Sequence, residues 1–255
     1  MENGIPSRFT GVSARLASPA TEPGPAAAGG AVGSAVDRSL ARRRATAQDE
    51  VERLVTAAFS VIERTGHLEP KVSDILREAG LSNQAFYRHF AGKHALLVTV
   101  LDEGIRGLAR YLAQRMDGID DPVEAVREWI RGMAAQATDP TGARASRPFA
   151  LARGRLAESF PAEVADSERR VAAPLRAVLE RGRERGRMPE VDAETESEAL
   201  YHLMMGWVEA RLVAGRQPSP DEVDALEALA LAGLTRGAAP ALAGASVVRE
   251  DETAS

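Results

Sequence analysis

The chain has 255 residues (27.1 kDa), 27% of them charged and none a cysteine, which excludes a membrane-embedded fold, disulfides, thiolate metal sites and a cysteine nucleophile. Aromatic residues make up only 4%, and 14 Pro with 22 Gly punctuate Ala- and Leu-rich stretches, so an all-α chain is expected. The net charge of −5 argues against indiscriminate nucleic-acid binding, yet residues 38–94 carry ten Lys/Arg against seven Asp/Glu, whereas residues 95–255 carry twenty against twenty-seven.

Residues 1–40 are rich in Gly, Ala, Pro and Ser without helical or strand periodicity, and read as a disordered N-terminal arm. The arm lacks the continuous Leu-like core of a signal peptide, and the longest apolar run, near residues 95–101, falls far short of the roughly 20 residues a bilayer requires. A cytoplasmic location with no membrane partner is the expectation.

Order is expected from Thr46, where Thr46 and Asp49 fit a capping box ahead of Val51, Leu54, Val55, Ala58, Phe59 and Ile62 at spacings of three and four. Gly66 stops this helix. A short second helix runs from Val72 to Ala79, Gly80 interrupts it, and a third runs from Asn83 to Phe90. The fourth spans about His94 to Met116.

The second half repeats one device, a capping residue with proline at the first helical position. Asp121-Pro122 opens a helix that the Asp139-Pro140-Thr141-Gly142 turn is expected to end. Ser146 then caps a shorter helix with Phe149, Leu151, Ala152 and Leu156. Pro161 opens the next, bent at Pro174 and ending near Gly182 or Gly186. Asp192 caps a helix of Leu200, Leu203, Met204, Trp207, Val208 and Leu212, and Ser219-Pro220 opens the last, through Val223, Leu226, Leu229, Ala230 and Leu234. Residues 238–255 read as a flexible tail.

The stretch Val72–Phe90, VSDILREAGLSNQAFYRHF, has the form of a helix-turn-helix. Ala79 is small enough for a close crossing, Gly80 can take the positive φ of the turn, and Ile75, Leu81, Phe86 and Phe90 supply the wedge between the helices. At about 100° per residue, Gln84 and Arg88 lie roughly 200° from Phe86 and so point away from the core. Gln pairs with adenine and Arg with the guanine edge in the major groove. Asn83 starts this helix, Tyr87 and His89 flank its outer face as phosphate donors, and Lys93 precedes the fourth helix, whose N-terminal end favours an anion.

In AGLSNQAFYRHFAGKHALL the chain resembles the tetracycline-repressor (TetR) family of bacterial transcriptional regulators. The resemblance covers about residues 46–101 through Ile75 to Gly80, the Tyr-x-His-Phe signature at Tyr87 to Phe90, and Lys93 ahead of Leu96-Leu97. The chain departs from the pattern at Lys71, where a capping Thr is usual, at Leu76, where Ala is frequent, and at Ala85, where a hydroxyl is frequent. The resemblance implies a homodimeric repressor that binds a palindromic operator on double-stranded DNA and is released by a small molecule. It further implies that the last two helices, about 193–215 and 220–236, form a four-helix dimer interface.

The implied organisation is a helix-turn-helix DNA-binding domain at residues 41–94 and a C-terminal helical ligand-binding and dimerisation domain at residues 95–237. Tyr111, Trp129, Met133, Phe149, Met204 and Trp207 are the candidates for lining a pocket for a small apolar or amphipathic effector, although each also sits at core spacing. The four histidines form no i,i+4 ligand pair, so no metal is expected, and no cofactor. No phosphate-binding Gly loop, nucleophile elbow or His-carboxylate cluster suggests an enzyme. A helical protein acting only through protein partners is the other alternative; steep salt dependence of duplex binding separates it from a regulator.

Overall fold

The computed structural model describes residues 31–237, with side chains from residue 37 onward; the readings of the arm up to residue 30 and of the tail after 237 lie outside the described residues. Among the described residues there are nine helices and no strand: α1 (Ala31–Thr65), α2 (Val72–Ala79), α3 (Asn83–His89), α4 (Lys93–Met116), α5 (Pro122–Thr138), α6 (Pro140–Ser159), α7 (Pro161–Glu184), α8 (Ala193–Ala214) and α9 (Pro220–Leu234). None is long and apolar enough to cross a membrane.

The largest departure from expectation is the start of α1, since residues 31–40, read as structureless, are helical. Thr46 is no cap: its hydroxyl donates to the Arg42 carbonyl at 3.1 Å, inside the helix. Apolar periodicity reports a buried face, and residues 37–46 bury none, but Ala and Arg sustain a helix without one.

A second correction concerns α6. Asp139 does more than end α5; its carboxylate accepts from the Gly142 amide at 2.7 Å and opens α6 at Pro140. Ser146, the expected cap, lies within α6. The same Asp-Pro or Ser-Pro device starts α5 through Asp121 and α9 through Ser219, and Asp192 caps α8 by accepting from the amides of Glu194 and Thr195. α7 continues through Pro174 to Glu184. Arg185 donates to the Asp120 carbonyl and Arg187 pairs with Asp121 at 3.2 Å, which ties the basic end of α7 to the α4–α5 loop.

Two apolar cores share α4. The first gathers Leu54 and Ile62 of α1, Ile75 of α2, Phe86 of α3 and Leu96 to Leu101 of α4, and also takes in Ala152, Leu156 and Phe160 at the α6 end. The second packs Leu112 of α4 with Trp129, Ile130, Leu175, Leu179, Met204 and the inner face of α9. Burying each such side chain contributes roughly 1.5–3 kcal/mol. Because α4 and α6 enter the N-terminal core, displacement of either is felt by the helices packed on it.

Candidate functional site

The helix-turn-helix is held from three directions. Gly80 takes φ +63° at the end of α2, and the Leu81 amide returns to the Leu76 carbonyl at 3.1 Å, closing the turn. From α1, Arg53 Nη2 donates to the Ala79 carbonyl at 2.7 Å and to that of Gly80 at 3.2 Å, so one guanidinium ties α1 to the turn. Ser82 caps α3, its hydroxyl accepting from the Ala85 amide at 3.2 Å. Lys71 stands at the N-cap of α2 with no side-chain cap bond.

α3 divides into an inner and an outer face. Phe86 is fully buried and Ala85 and Phe90 nearly so, while Leu81 is only half-buried against the same core. Asn83, Gln84, Tyr87 and Arg88 are exposed. Tyr87, 64% exposed, stands edge-on to the Phe86 ring at 5.1 Å between centroids, which stiffens a large aromatic on an open surface.

Arg88 and His89 converge on Glu50 of α1, which the sequence reading missed. Arg88 Nη1 donates to Glu50 Oε2 at 2.9 Å and to Oε1 at 3.1 Å, and His89 Nε2 lies 2.5 Å from Oε2. The His89 hydrogen bond, followed by the charge of Arg88, holds the Glu50 carboxyl below its ordinary value. His89 is therefore turned into the α1–α3 contact, its side chain only 11% exposed, and not outward as a phosphate donor. Arg88 stays 55% exposed and uses only Nη1 in this contact, which leaves the Nε–Nη2 edge, two donors at the spacing of guanine O6 and N7.

Lys93 opens α4 and pairs with Glu69 at 3.2 Å. The Glu69 carboxyl is lowered by its hydrogen bond to Lys93 and by the charge of that ammonium, and Arg155 of α6 approaches it at 3.6 Å. Lys93 thus shares its charge with an acid already present. Among the described residues, no group of three or more His, Asp or Glu could hold a metal ion.

A cavity of about 150 Å³ opens behind this module, walled by α1, α4, α6, α7 and α8 with Gln136 of α5. Of the six pocket candidates, only Phe149 lines it. Trp129, Met133 and Met204 are fully buried in the second core, where the Trp129 indole donates to the Val171 carbonyl at 3.4 Å. Tyr111 packs beside that core with its hydroxyl bound by Arg115, and Trp207 lies under the Arg211 guanidinium at 4.2 Å. The residues missed include Phe59, Gly104, Arg153, Glu168, Tyr201 and Glu209. Phe59 of α1 and Phe149 of α6 meet there with centroids 6.2 Å apart, so the cavity wall includes the first helix of the helix-turn-helix module.

For Met204 and Trp207 the misplacement arises in α8, where apolar residues occupy nearly every face and spacing cannot fix the phase, whereas Tyr111 on α4 and Trp129 and Met133 on α5 pack with the second core. Tyr201, Met205, Val208 and Leu212 face the cavity, while Leu203 is exposed. On α9, Leu229, expected in the core, is 66% exposed.

Residues 54–100 match the family described as "Bacterial regulatory proteins, tetR family". The chain is 32% identical over 82 residues to the HTH-type transcriptional regulator BetI of Stenotrophomonas maltophilia (strain R551-3); the match covers 32% of this chain and 42% of that relative, less than half its length. Among solved structures, the fatty acid degradation regulator FadR from Bacillus halodurans superposes with a TM-score of 0.60 at 19% identity, covering 72% of this chain and 96% of that one. RolR in complex with resorcinol gives 0.59 at 18%, covering 76% and 92%. The two structures share the fold, a helix-turn-helix module followed by a helical domain.

Proposed function

From the place of residues 54–100 in the tetR family of bacterial regulatory proteins, we infer that this chain is a transcriptional regulator, a repressor that binds a palindromic operator as a homodimer and is released by a small molecule. The observation that carries the reading is α3: Phe86 anchors its inner face at zero exposure while Gln84 and Arg88 stand outward, Arg88 steadied by Glu50. In this reading Gln84 and Arg88 contact base edges, Asn83, Tyr87 and Lys93 contact the backbone, and His89 acts by holding Glu50 in place.

Residues 41–94 are then the DNA-binding domain and residues 95–237 the sensing and pairing domain. One recognition helix reads only a few base pairs, and a symmetric pair reads two half-sites. The pairing surface is the outer side of α8 and α9, where Leu203, Val213 and Leu229 are exposed and Gly206 leaves open space for a facing helix.

The effector, small and apolar or amphipathic, enters the cavity of about 150 Å³. RolR, a protein of like fold, is described with resorcinol, which supports a small-molecule occupant here. Filling the cavity presses on Phe59 and on Leu101 to Leu108 of α4, and shifts the population toward a spacing of recognition helices that no longer fits one duplex.

Selection of bound sequences from random duplex DNA tests the whole reading. An enriched palindrome is the expected result. Failure to retain any duplex, or retention without sequence enrichment, overturns it.

A further inference from the structure

We infer that the cavity between the DNA-facing module and α8 takes a small organic cation, a protonated amine carried on a single apolar ring. The inference rests on the regulator reading above, whose cavity it fills. The space, about 150 Å³, is of the order that accepts one benzene ring in an apolar protein interior. Its walls are overwhelmingly apolar, and the rings of Phe59, Phe149 and Tyr201 line it, surfaces that attract a cation through their electron-rich faces.

The charge at its polar end decides the class. Arg153 stands between Glu168 and Glu209, 3.6 Å from each, so the lining holds one positive charge against two negative ones. Both distances exceed a hydrogen bond, and each carboxylate retains acceptor capacity for an N–H donor. An anionic ligand would bring a third negative charge to one guanidinium already flanked on both sides. A neutral ligand would leave the surplus charge uncompensated beside an apolar wall. A protonated amine neutralises the group; the side chains of Arg153, Glu168 and Glu209 are about 30% exposed, so solvent screens that compensation in part. Burial pushes the Tyr201 phenol up to about 12, and Arg153 lies against its oxygen, which places this neutral hydroxyl at the same polar end of the cavity.

Three probes with the same ring and different charge separate the possibilities: benzylamine, benzyl alcohol and benzoate, titrated calorimetrically into the full-length dimer at neutral pH. Benzylamine is expected to bind at least about ten-fold tighter than benzyl alcohol, the return on a charge-assisted hydrogen bond, with benzoate weakest. Glu209→Gln is expected to weaken benzylamine about ten-fold and to change benzyl alcohol by less than about two-fold. Should that variant fold poorly, Glu168→Gln serves equally, and the ranking of probes on the unaltered protein needs neither.

Benzyl alcohol or benzoate binding as tightly as benzylamine overturns the assignment. So does the absence of binding by all three at millimolar concentration, or a benzylamine affinity indifferent to loss of either carboxylate. Retention of palindromic duplex DNA by the unliganded protein is measured alongside. If duplex is retained while the probes rank wrongly, only the ligand class falls; if no duplex is retained, the regulator reading falls.

Discussion

Gly104 offers a direct test of the route from cavity to recognition helix. It lies on α4 against α1, and a methyl group built on it would stand 3.3 Å from Phe59 Cζ and 3.5 Å from Cε1, in the cavity wall. Gly104→Ala therefore pushes Phe59 by a few tenths of an ångström in the sense that an occupant would. Replacing a helix-interior glycine by alanine stabilises by roughly 0.5–1 kcal/mol, and mild crowding of a core ring costs about as much. The net change in stability should stay within about 1 kcal/mol, a melting shift of no more than about 4 °C for a chain of this size.

Operator binding should respond more. A full effector response corresponds to a coupling of about 1–3 kcal/mol, or five- to 150-fold in affinity, and one methyl reproduces part of it. The expected loss is about two- to ten-fold in affinity for the palindrome, read by fluorescence anisotropy on unliganded protein. Phe59→Leu introduced into Gly104→Ala relieves the crowding and should restore binding, a coupling that a purely local defect would not show. Unchanged operator affinity in Gly104→Ala, with the melt also unchanged, would refute Phe59 as the link.

Arg88→Ala should lower discrimination at one base pair of each half-site by about 1–3 kcal/mol, whereas Lys93→Ala should weaken all duplexes alike and flatten the salt slope by about one unit per protomer. A base-specific loss from Lys93→Ala, seen in binding to a panel of single-substituted operators, would contradict that division. Glu50 is held below its ordinary value by His89 and then Arg88, so its contribution to stability is present above the unfolded carboxylate pKa and lost as pH falls through the depressed folded value. The melting temperature should consequently fall more steeply across the acid range in the unaltered protein than in Glu50→Gln; parallel pH profiles would show that the contact contributes nothing. Ser82→Ala removes the cap of α3 and should cost about 1 kcal/mol, with Ser82→Asp retaining most of the stability in the same thermal melt.

Most helix starts marked by a capping residue or a proline were legible. Asp121-Pro122, Asp192 and Ser219-Pro220 each begin a helix in the structure, because a side-chain oxygen answering free amides is a local matter within three residues, and Pro161 begins α7 by its preset φ alone, with no side-chain cap at Phe160. Asp139-Pro140 carried the same signal, obscured because Thr141-Gly142 also suits a turn, and the helix that follows tolerates both. α1 was misjudged for the opposite reason. Residues 37–46 bury nothing, so amphipathic spacing had no feature to report, although the Ala and Arg content favoured a helix.

For the candidate site, the outward face of α3 followed from one angle, the 100° step of the helix, and from one anchor, Phe86, whose complete burial fixes the phase. The partners of that face were beyond reach. Glu50 lies 38 residues before Arg88, and nothing in the intervening spacing distinguishes it from Glu52 or Glu63. The cavity illustrates the limit more sharply. α8 is apolar around most of its circumference because it packs against α5, α6 and α7 and leaves Leu203 and Val213 uncovered, so hydrophobicity alone assigns Trp207 and Tyr201 to the same class.

Only packing tells them apart: Tyr201 falls on the side shared with Arg153 and Glu168, and Trp207 lies beneath Arg211. An apolar helix that faces a core on one side and carries exposed leucine and valine on the other is what a pairing helix requires. The ambiguity that hid the cavity residues is thus itself an argument for the dimer, since a monomeric surface helix would be selected for a polar outer face and its phase would have been plain.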